Sequence, residues 1–173
     1  TRGRVITTQP IKGTASKLGG RPSLQKLLAS AKERAEHDMI TDLERNDLGR
    51  VCEIGSVKVV NNRAIQKLSH VIHTFARIKG LLRHDKDIFD LIEALFPGGS
   101  ITGCPKKRTV EIIDKLEDFK RGVYTGSAGF IGFNGDVYMN ILIRTMLFKD
   151  KKVYFQVGGG IVADSNPKKE YEE

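Results

Sequence analysis

The sequence predicts an α+β fold in which antiparallel sheets are flanked by helices, and three observations carry that expectation. Apolar residues recur at helical spacing through residues 22–48, 85–96 and 105–116. From residue 123 onward the pattern changes to short apolar stretches bounded by turn residues. Those stretches are joined by Asn134-Gly135 and Lys149-Asp150-Lys151, and Asn-Gly favours a tight hairpin because both residues tolerate positive φ.

The first helix is expected to start near Pro22. Leu24, Leu27, Leu28, Ala31, Ala35, Met39, Ile40 and Leu43 supply its apolar stripe, and Gly49 lies where it stops. Residues 51–60 read as extended, with Val57, Val59 and Val60. Residues 62–79 are ambiguous, although Val71, His73 and Phe75 alternate as on a strand. A helix from Asp85 to Phe96 is closed by Pro97-Gly98-Gly99, and Pro105 opens another that runs through Leu116. Strands are expected at Val123–Phe133, Val137–Phe148 and Lys152–Val157. Ser165 can cap a last helix with Pro167 in its first turn.

The 173 residues suffice for one domain with a sizeable core, expected over residues 1–173 with no further domain. The chain opens on Thr1 rather than Met and stops inside an expected helix, so a piece of a longer protein is expected. No run of about 18 apolar residues is present, so no membrane span is expected, and the residues from Thr1 to Arg4 show no apolar stretch resembling a signal peptide. Cys52 and Cys104 make neither a disulfide framework nor a zinc site, which suits a reducing cytoplasm. The net charge of +8 is spread among acidic residues, without Trp or an RNA-binding aromatic signature. A small anionic substrate accounts for that charge better than nucleic acid.

Several residues point to chemistry. Lys12 lies in Pro10-Ile11-Lys12-Gly13-Thr14, read as a short rigid turn because Pro10 restricts the backbone and Gly13 frees it. A lysine nucleophile must give up its proton, which takes burial or a nearby cation. The alternative is a surface lysine. Gly158, Gly159 and Gly160 form a run of small residues whose backbone N–H groups can approach an anion. On a helix, Glu36 shares a face with Ala29, Ile40 and Leu43, where a carboxylate needs an ion pair or a metal. A salt bridge to Lys32 is the plain reading. Glu170 and Glu173 are three apart on the last helix, and such carboxylates suit Mg²⁺ better than zinc. Arg144, in an apolar run, either reaches an edge or clamps a carboxylate, with Tyr124 placed to help from the start of the partner strand.

Two motif matches fail on context. Gly158-x-Gly160-x-x-Ala163 fits a dinucleotide fingerprint, but about ten residues are too few for the helix and strand that must follow. Gly98 to Lys106 lacks a lysine directly after the second glycine of a phosphate loop. His70 and His73, three apart on a strand, would face opposite sides, and His73 is the better functional candidate.

Taken in order, these segments resemble the chorismate-utilising enzymes. The match runs through Pro10–Thr14, Ala35-Glu36-His37, Asp42–Val51, Ser69–His73, Phe96–Lys106, Gly122–Gly126, Ile143–Met146, Gly158–Ser165 and Glu170–Glu173. The resemblance implies the chorismate-binding fold, present in part as the C-terminal portion of the catalytic domain. Lysine in the Pro-Ile-Lys-Gly-Thr segment is similar to the aminodeoxychorismate synthases, component I, of para-aminobenzoate and folate synthesis. Anthranilate synthase large subunits, the enzyme alternative, usually have alanine there. A non-catalytic chain that binds chorismate or an amidotransferase is the alternative of another class.

The resemblance also implies roles. Lys12 would attack C2 of chorismate and expel the C4 hydroxyl, and ammonia from a glutamine amidotransferase would then add at C4 and release the lysine. His73 would lie by C4. Glu36 and Glu173, with Glu170, would hold Mg²⁺ on the ring carboxylate. Tyr124, Arg144 and the backbone of Gly158, Gly159 and Gly160 would hold the enolpyruvyl carboxylate, and Ser100 would contact substrate. The chain departs from the family at Ala15–Gly20, where Pro-Arg-Gly is common, and at Thr74-Phe75, where leucine often follows the histidine. A family Ser-Pro-Glu segment, with a candidate general acid, and an N-terminal subdomain are expected to lie outside this chain.

Overall fold

The computed structural model describes residues 1–163 and 165–172, the side chains of Lys169 and Glu172 excepted. It divides into two compact units, residues 1–95 and 96–173.

The first unit is a sheet covered by helices. Its centre is β4 (Val71–Leu81), which carries partners along both edges. The hairpin partner β3 (Lys58–Lys67) lines one edge. Along the other run β1 (Val5–Thr8), opposite the C-terminal half of β4, and β2 (Ile11–Ser16), opposite its N-terminal half. All pairings are antiparallel. Across the gap between β1 and β2 the Ala76 N–H donates to the Pro10 carbonyl, so the two behave as one interrupted strand.

Alternation along β4 sets the packing. Ile72, Thr74, Ala76 and Ile78 fall on one face and are buried. That face meets α2 (Ala31–Gly49), which with α3 (Ile88–Leu95) closes a core of Ile6, Leu48, Val51, Cys52, Ile78, Leu82, Leu91 and Ala94. Leu48 and Ile78 are wholly inaccessible to solvent. Gly80 serves close approach here, since a Cβ on it would lie 2.6 Å from Cys52 Sγ.

The segment Pro10–Thr14 is not the expected turn. Lys12 lies on β2, and the register slips between Lys12 and Thr14. Pro10 precedes the strand, where its missing N–H breaks no ladder bond, and Gly13, at φ 81°, makes a bulge. The expected long helix is two helices, α1 (Gly20–Ala29) and α2. The break is Ser30, extended at ψ 118°, whose hydroxyl accepts the Glu33 N–H as an N-cap. Residues 51–57 are turns and bridges rather than the start of a strand, and His70 lies in the β3–β4 turn.

The second unit begins with α4 (Gly99–Thr102) and α5 (Lys106–Leu116). Two hairpins follow, β5 (Ser127–Ile131) with β6 (Val137–Ile141) and β7 (Met146–Lys149) with β8 (Lys152–Phe155). Both sit where the turn residues place them, although the first turns through the longer loop of residues 132–136, in which Gly135, at φ 80°, takes the positive φ and Asn134 does not. Asp150 and Lys151 take φ 51° and 60°, the positive pair that matches a tight turn to strand twist. The chain then runs irregularly to α6 (Pro167–Glu172). Its cap is Asn166 rather than Ser165, since Asn166 Oδ1 accepts the Lys168 N–H and Pro167 follows as the first helical residue.

The three expected strands become four shorter ones: Val123–Phe133 shrinks to β5, Val137–Phe148 is split into β6 and β7, and Lys152–Val157 shortens to β8. Tyr124 lies in the turn ahead of β5. Arg144 lies in the connection between β6 and β7 with φ 53°, outside any strand. Among the described residues no helix is long and apolar enough to cross a membrane.

Candidate active site

In the first unit the candidate residues converge on the β2 bulge. Lys12 pairs in register with Thr74 of β4, on the face that meets α2. Its Nζ donates to Glu36 Oε2 at 3.3 Å. Lys32, one turn earlier on α2, faces the other oxygen of the same carboxylate, 3.8 Å from Oε1. Glu36 is 9% exposed, beside Ile40 and Leu43 on the buried stripe of α2, as the helical spacing requires. One buried carboxylate thus faces two ammonium groups. This satisfies the charge balance that burial demands, and it brings Lys12 into the site rather than leaving it at the surface.

Gly13 lets the helices approach. A Cβ there would fall 2.8 Å from Leu27 Cδ1, 3.0 Å from Glu33 Oε2 and 3.1 Å from Thr74 Oγ1. Glu33 therefore adds a second carboxylate beside the bulge. Sequence reasoning passed over it, although Ser30-x-x-Glu33 is a capping-box pattern that also marks the true start of α2.

His73 occupies the next register position, opposite Thr14, and alternation turns it to the face opposite Thr74. It is buried, and its Nδ1 lies 2.9 Å from the Thr14 hydroxyl. The structure thus joins Lys12 to Glu36 and His73 to Thr14, as neighbouring pairings of one ladder.

His37, next to Glu36, ties α2 to β3. The Arg63 N–H donates to His37 Nε2 at 3.2 Å, and the Asn62 side-chain amide lies 3.1 Å from the same nitrogen. Arg63 stands at φ 50°, and its guanidinium donates to the Leu27 and Leu28 carbonyls at the end of α1. Burial is the largest influence on His37 and pushes its pKa below the ordinary 6.5. The Arg63 charge lowers it further, while the Asn62 bond and Asp38 oppose. The unfolded chain therefore takes up this proton first as pH falls. His37 stabilises fully above about pH 6.5, and that stability is lost as pH falls through the lower native value. Urea unfolding at pH 7.5 and 5.5 checks this: the wild type loses more stability between them than His37→Gln does.

In the second unit the structure brings Tyr124 and Glu170 to the glycine run, but not Ser100 or Arg144. A Cβ on Gly158 would lie 2.7 Å from the Tyr124 hydroxyl, and one on Gly159 would lie 3.5 Å from Glu170 Oε2. The other Glu170 oxygen accepts the Ser165 hydroxyl at 2.7 Å, and Ser165 Oγ accepts the Val162 N–H. Tyr124, Gly158, Gly159 and Glu170 are thus neighbours, with Gly160 next in the exposed chain. Ser100 is half-buried on α4. Arg144 is exposed and, among the described residues, holds no partner.

Arg121 was not foreseen and is the anchor of this group. It binds Glu117 through Nε and Nη2 at 2.9 and 2.6 Å, and donates to the Ile101 carbonyl at 3.1 Å. Its guanidinium also lies 5.6 Å from the centre of the Tyr124 ring, within cation–π range. The signal that could have marked it is Glu117 four residues earlier, the spacing of an i,i+4 ion pair.

The chemistry of Glu36 suits Mg²⁺, a hard cation that takes carboxylate oxygens. Among the described residues no three His, Cys, Asp or Glu side chains come together as a metal site. Both Glu36 oxygens face lysines, so a cation would bind there by displacing one of them. Glu173, the other expected ligand, lies outside the described residues.

The family of chorismate binding enzymes matches residues 1–173. An anthranilate synthase component I-like protein of Synechocystis sp. is 51% identical over 99% of this chain and 36% of its own length. The aminodeoxychorismate synthase component 1 of Bacillus subtilis is 48% identical over 99% of this chain and 37% of its own. The crystal structure of anthranilate synthase component I from Streptococcus pneumoniae superposes with a TM-score of 0.89 at 37% identity, over 99% of this chain and 38% of that one. The chain thus spans little more than a third of the length of these relatives. Their shared architecture is the fold seen here, mixed helices and antiparallel sheets forming part of a larger domain.

Proposed function

This chain belongs to the family of chorismate binding enzymes, and we propose that it carries the lysine-bearing part of an aminodeoxychorismate synthase component I, which aminates chorismate at C4. The observation that supports this reading is Lys12 on the β2 bulge, its Nζ 3.3 Å from the buried Glu36. A half-buried lysine held at one end by a carboxylate is aimed, and an aimed amine is what covalent catalysis needs.

In this reading Lys12, an ammonium beside Glu36, first gives one proton to that carboxylate. The neutral Nζ then bonds to C2 of chorismate while the C4–O bond breaks, and the departing hydroxide takes a second Nζ proton to leave as water. Ammonia then bonds to C4, the C2–Nζ bond breaks, and Lys12 is regenerated. The balance is chorismate plus ammonia giving aminodeoxychorismate plus water. A glutamine amidotransferase subunit is the proposed source of the ammonia. His73, given the C4 region by the resemblance, lies on the sheet face opposite Lys12, so no contact between the two is part of this reading. Ser100, Tyr124, Arg144 and the Gly158–Gly160 backbone would serve the substrate's carboxylate, with N–H and O–H donors and a positive charge suited to that anion. Mg²⁺, when bound, would neutralise a carboxylate of the substrate, and Glu36 is the residue of the first unit that would hold it.

The rival reading, an anthranilate synthase large subunit, has relatives of similar identity behind it. The full-length protein, incubated with chorismate, Mg²⁺ and ammonium, separates the two by product. Aminodeoxychorismate supports the proposal, and anthranilate replaces it. Glu36→Gln keeps the side chain's size and removes its charge. It is expected to raise the Mg²⁺ needed for half-maximal rate by roughly tenfold or more, as loss of a charged ligand does. An unchanged Mg²⁺ titration would leave Glu36 as an ion-pair residue only.

A further inference from the structure

We propose that Thr74 is the positioning residue for Lys12, its hydroxyl holding the β2 bulge in the form that aims the lysine at Glu36. This rests on the role given to Lys12 above. A bulge sets two residues of one strand against one of the other and interrupts the ladder, so a backbone group there needs another partner. At this bulge the partner is a side chain: Thr74 Oγ1 donates to the Lys12 carbonyl. Thr74 is also the cross-strand partner of Lys12 in register, and it is 2% exposed, so water cannot substitute for it.

Two further features fit this use of the hydroxyl. Its oxygen lies 3.1 Å from where a Cβ on Gly13 would stand, so glycine and hydroxyl share one gap. Gly13, at φ 81°, sits directly between the bonded carbonyl and the rest of β2. The position after His73 here carries a donor aimed at the backbone of the residue whose side chain reaches Glu36. Removing that donor frees the Lys12 carbonyl to seek another partner, and the Lys12 side chain moves with its backbone.

The test compares Thr74→Val, which keeps the shape and deletes the donor, with Thr74→Ser, which keeps the donor, in the full-length protein. Thr74→Ala is a second donor-free variant should Val fail to fold. Two readouts are taken: amination kinetics, and the rate at which acetic anhydride labels Lys12 relative to Lys32, read by peptide mass spectrometry. The expected result is a roughly tenfold loss of kcat in Val, as for a small misplacement of a reacting group, with KM for chorismate little changed. Lys12 labelling rises in Val, and Ser matches the wild type in both readouts. Wild-type kcat and labelling in a folded Val variant would overturn the proposal, as would equal damage from Val and Ser. If the wild type aminates no chorismate, the functional reading falls. Labelling then still decides the role of Thr74: faster labelling of Lys12 in Val but not Ser sustains it, and equal labelling in all three overturns it.

Discussion

Lys12→Ala is expected to abolish amination of chorismate by the full-length protein, lowering the rate by roughly a thousandfold or more, about 4 kcal/mol of activation free energy. The loss is that of a bond-forming group, so no neighbour replaces it. Lys32 faces Glu36 from α2, but it contacts the carboxylate at 3.8 Å, on the oxygen that Lys12 does not use. Folding is expected to survive. Glu36 keeps Lys32 as a counter-charge, and the β2–β4 ladder does not depend on the Lys12 side chain. Chorismate binding should persist, because the proposed anion-binding residues lie elsewhere in the chain. Turnover measured with ammonium, alongside binding of chorismate in the presence of Mg²⁺, checks the two halves of this statement separately.

Gly13→Ala has the second-largest expected effect, and it acts on stability first. At φ 81° an alanine is strained by about 1–3 kcal/mol. Its Cβ would also stand within 3.1 Å of Leu27, Glu33 and Thr74. Leu27 and Glu33 are contacted at the ends of flexible side chains and can shift. Thr74 is fully enclosed, and its hydroxyl is committed to the Lys12 carbonyl. Overpacking of this kind adds about 1–3 kcal/mol. The sum, about 2–6 kcal/mol, is a large share of a domain's stability. Urea unfolding of the variant measures it, and activity should fall with it because the bulge that aims Lys12 is displaced.

The sequence and the structure agree wherever a local rule and the tertiary packing point the same way. The hairpin at Asn134-Gly135, the tight turn at Asp150-Lys151 and the helix after Pro105 were all legible for that reason. They part where one residue type serves two purposes. Pro10 and Gly13 signal a turn, yet Pro10 can precede an edge strand and Gly13 can form a bulge within it, and only the pairing with β4 decides between them. The apolar stripe of residues 22–48 continues across Ser30, so periodicity alone joins two helices that a cap separates. Arg144 sits in an apolar run but takes a left-handed backbone that ends the strand.

The candidate site was legible to a different degree. The burial of Glu36 followed from its place among Ile40 and Leu43. Its pairing with Lys12 did not, because the two are twenty-four residues apart and meet only through the sheet. Thr74 acts through a hydroxyl whose partner is a backbone carbonyl, and such a contact leaves no trace in spacing, whereas Arg121 pairs with Glu117 four residues earlier, a spacing visible in the sequence.

The central claim is that Lys12 bonds covalently to chorismate. It is tested most directly by intact-protein and peptide mass spectrometry of the full-length protein held with chorismate and Mg²⁺ but without any ammonia source. The account predicts a mass increase equal to chorismate less one water, located on the peptide that contains Lys12 and lost when ammonium is added with release of aminodeoxychorismate. An unmodified Lys12 under those conditions, in a protein that goes on to aminate chorismate when ammonium arrives, would contradict it.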